Sequence, residues 1–190
     1  MSWCRISAVV LWGCAGSPIS DSAAPQDAPP LSDDVLSLLR ATPMKAHVDF
    51  LAHDELGGRI PGSPGHQQAI DYIHGELQEM GIQPLGPDGS YLHTYESSES
   101  TGNWMIDESG DVVPHTLTQG VNLVGVVPGS DPELADEYIL VISHYDHLGV
   151  TEEGDAYNGA FDDATGVAIG LELARFFTEG HATTRRSLLF

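Results

Sequence analysis

Cysteine is scarce in this chain. The 190 residues include only two, Cys4 and Cys14, and both lie near the amino terminus. Two cysteines in that position exclude a disulfide framework and a cysteine-rich zinc site. Any metal site would therefore be built from histidine, aspartate and glutamate side chains.

Positive charge is scarce as well. Seven Lys and Arg stand against 28 Asp and Glu, which gives a formal net charge of −21. Such a surface repels phosphate backbones, so we expect no nucleic-acid partner. Apolar residues make up 41% and charged residues 18%, as in a globular protein, and the length suits one domain with a sizeable core.

Long hydrophobic runs are also lacking. The apolar run Ile6–Trp12 is too short to span a bilayer, and Leu11–Cys14 resembles a bacterial lipobox. We therefore predict a secretory or lipoprotein signal over 1–14 and a flexible tether over 15–30. The expected location is secreted, periplasmic or anchored at the cell envelope, with a lipid on Cys14 as the only route of membrane attachment.

Four helices are predicted from apolar spacing and capping residues. They cover 33–41, Pro43–Ala52, a long amphipathic stretch from Pro64 to Met80, and 165–179. Between the second and the third, Gly57–Gly65 is so rich in glycine and proline that it predicts a loop.

Strand patterns alternate with these helices. Tyr91–Glu96 is a short strand-like piece, Val121–Val127 and Tyr138–Ser143 are apolar and β-branched, and Ser187–Phe190 begins a further buried strand. A strand, loop, helix and strand in succession form a βαβ unit. The expected fold class is α/β, with a mostly parallel or mixed open sheet and helices on both faces.

Polar side chains follow the apolar strand at Tyr138–Ser143. His144 comes directly after it, at the carboxyl end where open α/β sheets bind their ligands. Residues two apart in an extended segment point the same way, so His144 and Asp146 share a face and Tyr145 points elsewhere. Either both side chains bind a metal, or His144 binds it and Asp146 supports the imidazole from behind.

A second group of carboxylates lies near the start of the 165–179 helix. Asp162 lies at the helix start, and a single carboxylate of this kind can bridge two metal ions, whereas Asp163 is expected to hold the turn. Taken singly, a strand-end histidine and a capping aspartate have ordinary structural roles; together after a buried strand they favour a metal site. His147 is expected to hydrogen-bond in its loop, and Arg59 to hydrogen-bond nearby carbonyls.

These motifs resemble the di-zinc exopeptidase family M28, which contains bacterial leucyl aminopeptidases and plasma glutamate carboxypeptidase. The resemblance covers roughly 31–190 and rests on four stretches: Gly57–Gly65, Val121–Gly129, His144–Gly149 and Asn158–Gly166. It implies that 31–190 form the amino-terminal part of a zinc exopeptidase domain.

The resemblance also implies roles for individual residues. His144 matches a ligand of one zinc ion, Asp162 the carboxylate that bridges two zinc ions, and Asp146 the family's active-site aspartate behind the ligand histidine. The implied reaction is hydrolysis of a terminal peptide bond in a peptide or aminoacyl substrate by a metal-activated water. The family's glutamate base and further ligands match nothing up to Phe190, so this chain is expected to be an incomplete and inactive fragment truncated at the carboxyl terminus.

Two other functions fit the same pattern. One is a glutaminyl-cyclase-like acyltransferase of the same fold, which uses a single zinc ion. The other is a non-catalytic binding module that keeps the fold without the metals. The presence of both His144 and Asp162 favours the enzymes over the binding module.

Overall fold

The computed structural model describes residues 6–7 and 30–190, without the side chains of 6–7, 97–102 and 117–118. The predicted signal over 1–14 and tether over 15–30 therefore lie outside the described residues, except for Ile6, Ser7 and Pro30.

The first predicted helix is much shorter than expected. Helix α1 covers only Asp33–Leu36, capped by Ser32, whose Oγ accepts a hydrogen bond from the Val35 N–H at 3.4 Å. The chain then tightens into a turn, and Arg40 is extended, so the prediction of a helix to 41 was wrong. Helix α2 follows at Ala41–Leu51, close to its predicted range.

The two longest helices agree with their patterns. Helix α3 covers Pro64–Glu79 and is capped by the Ser63 side chain, and helix α4 covers Thr165–Thr178. Their apolar faces pack into one core cluster with Leu51 of α2 and with the strands. Burial of these stripes is what holds the helices against the sheet.

A long antiparallel hairpin occupies the region in which the sequence indicates only a short strand. Strand β3 covers Leu92–Ile106 and pairs with β4, Val112–Leu123, with two irregularities in register. Its tip bonds to the loop after His144 through a bridge between Trp104 and Val150. The hairpin thereby lies beside the loop that follows His144.

In the part of the chain that the structure describes, the main sheet has five short strands. They are β1 Ile6–Ser7, β2 Gln83–Pro84, β5 Gly125–Val127, β6 Tyr138–Leu140 and β7 Ser187–Leu189. Their order is β1-β6-β7-β5-β2; β6 is parallel to β1 and β7, whereas β5 is antiparallel to β7 and β2. The expected α/β fold with a mixed sheet is confirmed.

Two predicted strands are shorter than expected. The Val121–Val127 strand is interrupted at Val124, whose N–H turns to the Tyr91 carbonyl at 2.7 Å. The Tyr138–Ser143 strand ends at Leu140, although the Val141 N–H still donates to the Leu189 carbonyl at 2.8 Å. Residues 140–146 line a cavity of about 430 Å³, and the chain reaches His144 outside any strand.

Among the described helices, none is both long and apolar enough to cross a membrane.

Candidate metal centre

His144 lies at the end of the extended segment that follows β6. Its Nε2 atom is 2.9 Å from Oδ1 of Asp162, and its Nδ1 atom is 3.3 Å from Oδ1 of Asp146. The Asp146 carbonyl is a further partner of Nδ1, at 3.2 Å. The imidazole therefore has one carboxylate at each nitrogen, and Asp146 stands behind the ring relative to Asp162.

The two aspartates before α4 have different partners. Asp163 accepts a hydrogen bond from the Gly166 N–H at 3.1 Å and another from the His144 N–H at 3.3 Å. Asp163 thus holds the turn, as predicted. The Asp162–Asp163 peptide bond is cis.

The sequence predicts Asp162 at the amino terminus of the helix, but the structure places it elsewhere. It belongs to a π-helical turn, Ala160–Ala164, and its dihedral angles of −124° and 88° are not helical. Asp163 rather than Asp162 bonds the first turn of α4, at the Gly166 N–H, and the Asp162 side chain meets His144. Its side chain is 70% exposed and open to a ligand from solvent.

The site is electrostatically negative. Burial lowers the pKa of His144, but hydrogen bonding to the Asp146 carbonyl and the carboxylates of Asp146, Asp163 and Asp162 outweigh it, so the pKa lies above its ordinary value. Groups that favour a proton on the imidazole favour a metal cation in the same place.

The two donors fit part of a zinc site. Nitrogen and oxygen ligands bound at 2.0–2.1 Å in a tetrahedron are about 3.3 Å apart, near the separation between His144 Nε2 and Asp162 Oδ1. Support of a ligand histidine by a carboxylate at its other nitrogen, here Asp146, is also typical of zinc sites. Among the described residues, however, no group of three or more His, Cys, Asp and Glu side chains is arranged to hold a metal ion.

Tyr145 anchors the loop to the core from the other side. Its ring stacks on His66 with a centroid distance of 5.1 Å, and its hydroxyl donates to the Val121 carbonyl at 2.5 Å. Burial raises the pKa of the Tyr145 hydroxyl. As the two-residue period predicts, Tyr145 points away from the face that carries His144 and Asp146.

His66 is a buried neighbour of Tyr145 that the sequence does not single out. It is 5% exposed, and its Nδ1 accepts a hydrogen bond from the Gly62 N–H at 3.3 Å. Burial lowers its pKa to about 4, a shift opposed by Asp146 and reinforced by His115. The signal in the sequence was its place in the first turn of a capped helix, which alone does not reveal the contact with Tyr145.

The neutral state of His66 makes stability depend on pH. Because its pKa is lower in the folded state than the 6.5 of a free imidazole, its contribution is complete above pH 6.5 and is lost as the pH falls towards 4. We expect a loss of about 3 kcal/mol across that window, measured by urea unfolding. His66→Gln should make the free energy of unfolding less dependent on pH. The control His53→Gln, at an exposed position, should keep the pH dependence of the wild type. Equal slopes for wild type and His66→Gln would contradict the assignment.

Two glycines bring the Gly57–Gly65 loop against the loop that carries the site. Gly58 has a φ of +65°, and a Cβ there would lie 1.9 Å from the Gly149 carbonyl oxygen. The Gly149 N–H donates to the Gly58 carbonyl at 3.1 Å. No side chain fits at Gly58 without separating the two loops.

Alanine at Gly58 is therefore expected to lower the free energy of unfolding by about 3 kcal/mol, because a left-handed conformation and a backbone clash add together. Gly75 is a matched control, since it lies inside α3 with no atom near a new Cβ. Alanine there should stabilise the protein by about 1 kcal/mol in the same urea titration. A Gly58→Ala protein as stable as the wild type would show that the loops can separate freely.

Two further residues tie the loops of the site together through hydrogen bonds to the main chain. The His147 N–H donates to the Arg59 carbonyl at 3.3 Å, and burial together with the Arg59 charge lowers the pKa of its imidazole. Arg59 is fully buried and hydrogen-bonds backbone carbonyls, as predicted, rather than facing a substrate.

The chain is similar in fold to several solved structures. A glutaminyl cyclase from Fimbriiglobus ruber is 17% identical, with a TM-score of 0.55 over 80% of this chain and 44% of its own. LapB from Legionella pneumophila is 18% identical, with a TM-score of 0.50 over 83% of this chain and 36% of its own. At these identities the similarity shows the fold alone.

A Zn-dependent exopeptidase from Parabacteroides distasonis is 20% identical, with a TM-score of 0.49 over 80% of this chain and 46% of its own. The chain thus spans less than half the length of each of these three proteins. No curated protein matches it.

A sequence profile, unlike the solved structures, matches part of the chain to a protein family. The profile of peptidase family M28 matches residues 122–190, which include His144, Asp146 and Asp162. The resemblance predicted from the motifs is confirmed over that stretch. From residue 122 to residue 190, the chain carries the sequence pattern of peptidase family M28.

Proposed function

We propose that the protein to which this chain belongs is a zinc-dependent exopeptidase that removes amino-terminal residues from peptides. The single observation that carries the proposal is the pair formed by His144 Nε2 and Asp162 Oδ1 at 2.9 Å, with Asp146 behind the imidazole. The match to family M28 across these residues supports it.

Each residue has a separate task in this proposal. His144 and Asp162 would hold zinc through a nitrogen and an oxygen donor. Asp146 accepts the Nδ1 proton of His144, which fixes the ring with Nε2 towards the metal. Asp163 holds the backbone of His144 and the start of α4, so the separation of the two donors is set by hydrogen bonds.

Zinc, when bound, would supply a water of lowered pKa and a positive charge beside the carbonyl that is attacked. The chain's own residues prepare for that chemistry by orientation. Because the donors lie on loops tied to rigid elements, they need not reorganise when substrate arrives. The substrate expected at such a site is a peptide or aminoacyl compound with a free amino group, encountered at or outside the cell envelope.

A second candidate is cyclisation of an amino-terminal glutamine, an acyl transfer that needs one zinc ion. The support for this reaction is that the chain is similar in fold to the glutaminyl cyclase from Fimbriiglobus ruber. The two reactions leave different products from the same substrate. Hydrolysis releases free glutamine and leaves a shortened peptide, whereas cyclisation releases ammonia and leaves the peptide bond intact.

A peptide that begins with glutamine therefore tests both functions at once. The protein expressed from its complete gene would be incubated with the peptide before and after zinc removal by a chelator, with ammonia and free amino acid measured separately. We expect free amino acid, no ammonia, and recovery of activity when zinc is restored. Ammonia without cleavage would assign the cyclase, and no zinc-dependent product of either kind would refute both enzymes.

A further inference from the structure

Arg59 is an unusual buried cation. Its side chain is 0% exposed, and its backbone has a φ of 47°, a left-handed conformation that residues other than glycine rarely adopt. Among the described residues, no carboxylate forms an ion pair with its guanidinium group. A charged side chain kept in such surroundings needs hydrogen-bond acceptors on every side.

The acceptors are backbone carbonyls from three separate segments. Nε donates to Tyr145 at 2.7 Å, Nη1 to Asn158 at 2.7 Å and Nη2 to Gly159 at 3.2 Å. Nη1 also donates to the carbonyl of Leu51, at the end of α2. One planar group therefore ties together segments far apart in the sequence.

Two of these segments carry the donors of the candidate metal centre. Tyr145 lies between His144 and Asp146, and Gly159 begins the turn that presents Asp162. The main chain of Arg59 joins the same assembly, because its carbonyl accepts the His147 N–H at 3.3 Å. Arg59 is thus bonded on both sides of the gap between His144 and Asp162.

The charge of Arg59 matters as well as its geometry. Burial lowers the pKa of Arg59, and the negative charge of Asp146 opposes that shift. The same attraction reduces the repulsion that Asp146 and Asp162 would feel on being held near each other. Both effects act on the site without contact between Arg59 and a ligand.

We propose that Arg59 is a positioning residue that sets the separation of His144 and Asp162 and thereby the zinc affinity of the site. Since each of its three nitrogen atoms donates to a backbone carbonyl and the side chain is buried, the guanidinium does not bind a substrate carboxylate. The inference rests on the proposed zinc site and goes beyond it, since it assigns a role to a residue that touches neither metal nor substrate.

The test compares Arg59 with Arg175, a second buried arginine that serves as a matched control. Arg175 binds Glu172 and the Leu38 carbonyl, at 2.7 and 3.0 Å, and lies ten residues along α4 from Thr165, which is about 15 Å. Both arginines would be changed to Lys and to Met in the protein expressed from its complete gene. Urea unfolding, zinc affinity against a competing chelator, and the visible spectrum of the Co²⁺ form would be measured for each.

We expect Arg59→Met to weaken zinc binding about 10- to 100-fold and to change the Co²⁺ spectrum, with Arg59→Lys in between. The Arg175 variants should lose stability but keep a zinc affinity within about threefold of the wild type. Folded Arg59 variants with wild-type affinity and spectrum would overturn the proposal, as would failure of both Arg59 variants to fold, which would make the residue structural only. Failure of the proposed function is distinguishable, because wild-type zinc binding would then be absent or unaffected by His144→Ala.

Discussion

Replacement of His144 by Ala, or of Asp162 by Asn, is expected to lower the peptidase activity of the complete protein by at least about 10³-fold. His144→Ala removes one of the two donors that lie 2.9 Å apart, and Asp162→Asn removes the negative charge of the other. A lost ligand weakens zinc binding, and Asn keeps the size of Asp without its charge. The measurement is kcat/KM on an aminoacyl-nitroanilide at saturating zinc, together with zinc content after dialysis.

Two neighbouring carboxylates are suitable controls for that loss. Asp155 lies in the loop beyond the site and is exposed, so Asp155→Asn should keep full activity. Asp163 touches the backbone of His144 and Gly166, so Asp163→Asn should lower activity partly, through the geometry of the turn. Full activity in His144→Ala would contradict the assignment of this histidine as a ligand.

Residues 1–190 on their own are expected to bind zinc weakly and to release no product from the same substrate. Two zinc ions need about four ligands each, and the described residues bring together only His144 and Asp162 with Asp146 in support. With so few donors, the dissociation constant for zinc should be larger than about 1 μM.

A zinc titration of the purified 190-residue chain against a chelator checks this expectation, with the nitroanilide assay run on the same sample. His144→Ala in the same chain serves as the control, since it should abolish whatever weak binding remains. Tight binding of two zinc ions with turnover would show that the donors present are sufficient, and that expectation would be wrong.

The predictable parts of the fold are those determined by residues close together in the sequence. The Pro64–Met80 helix was readable because Ser63 caps it and apolar residues recur at helical spacing. The pairing of His144 with Asp146 followed from the two-residue period of an extended chain, and their contact at 3.3 Å agrees with it. Such patterns need no knowledge of distant segments.

The parts that were missed depend on distant contacts. The β3–β4 hairpin runs through polar residues at 96–102, which lack an alternating apolar pattern, and its register is fixed by pairing across the hairpin. The position of Asp162 outside the regular helix depends on the non-helical dihedral angles of one turn. The acceptors of Arg59 lie 8 to 100 residues away along the chain, so its role at the site was not readable from neighbours.

The central claim is that His144 and Asp162 bind the same zinc ion, and crystallography of the complete protein with zinc tests it most directly. Anomalous diffraction at the zinc edge should show a peak about 2.0–2.2 Å from both His144 Nε2 and an Asp162 carboxylate oxygen, with Asp146 still at Nδ1. A zinc peak elsewhere in the protein, with these two side chains bonded only to each other, would contradict the account.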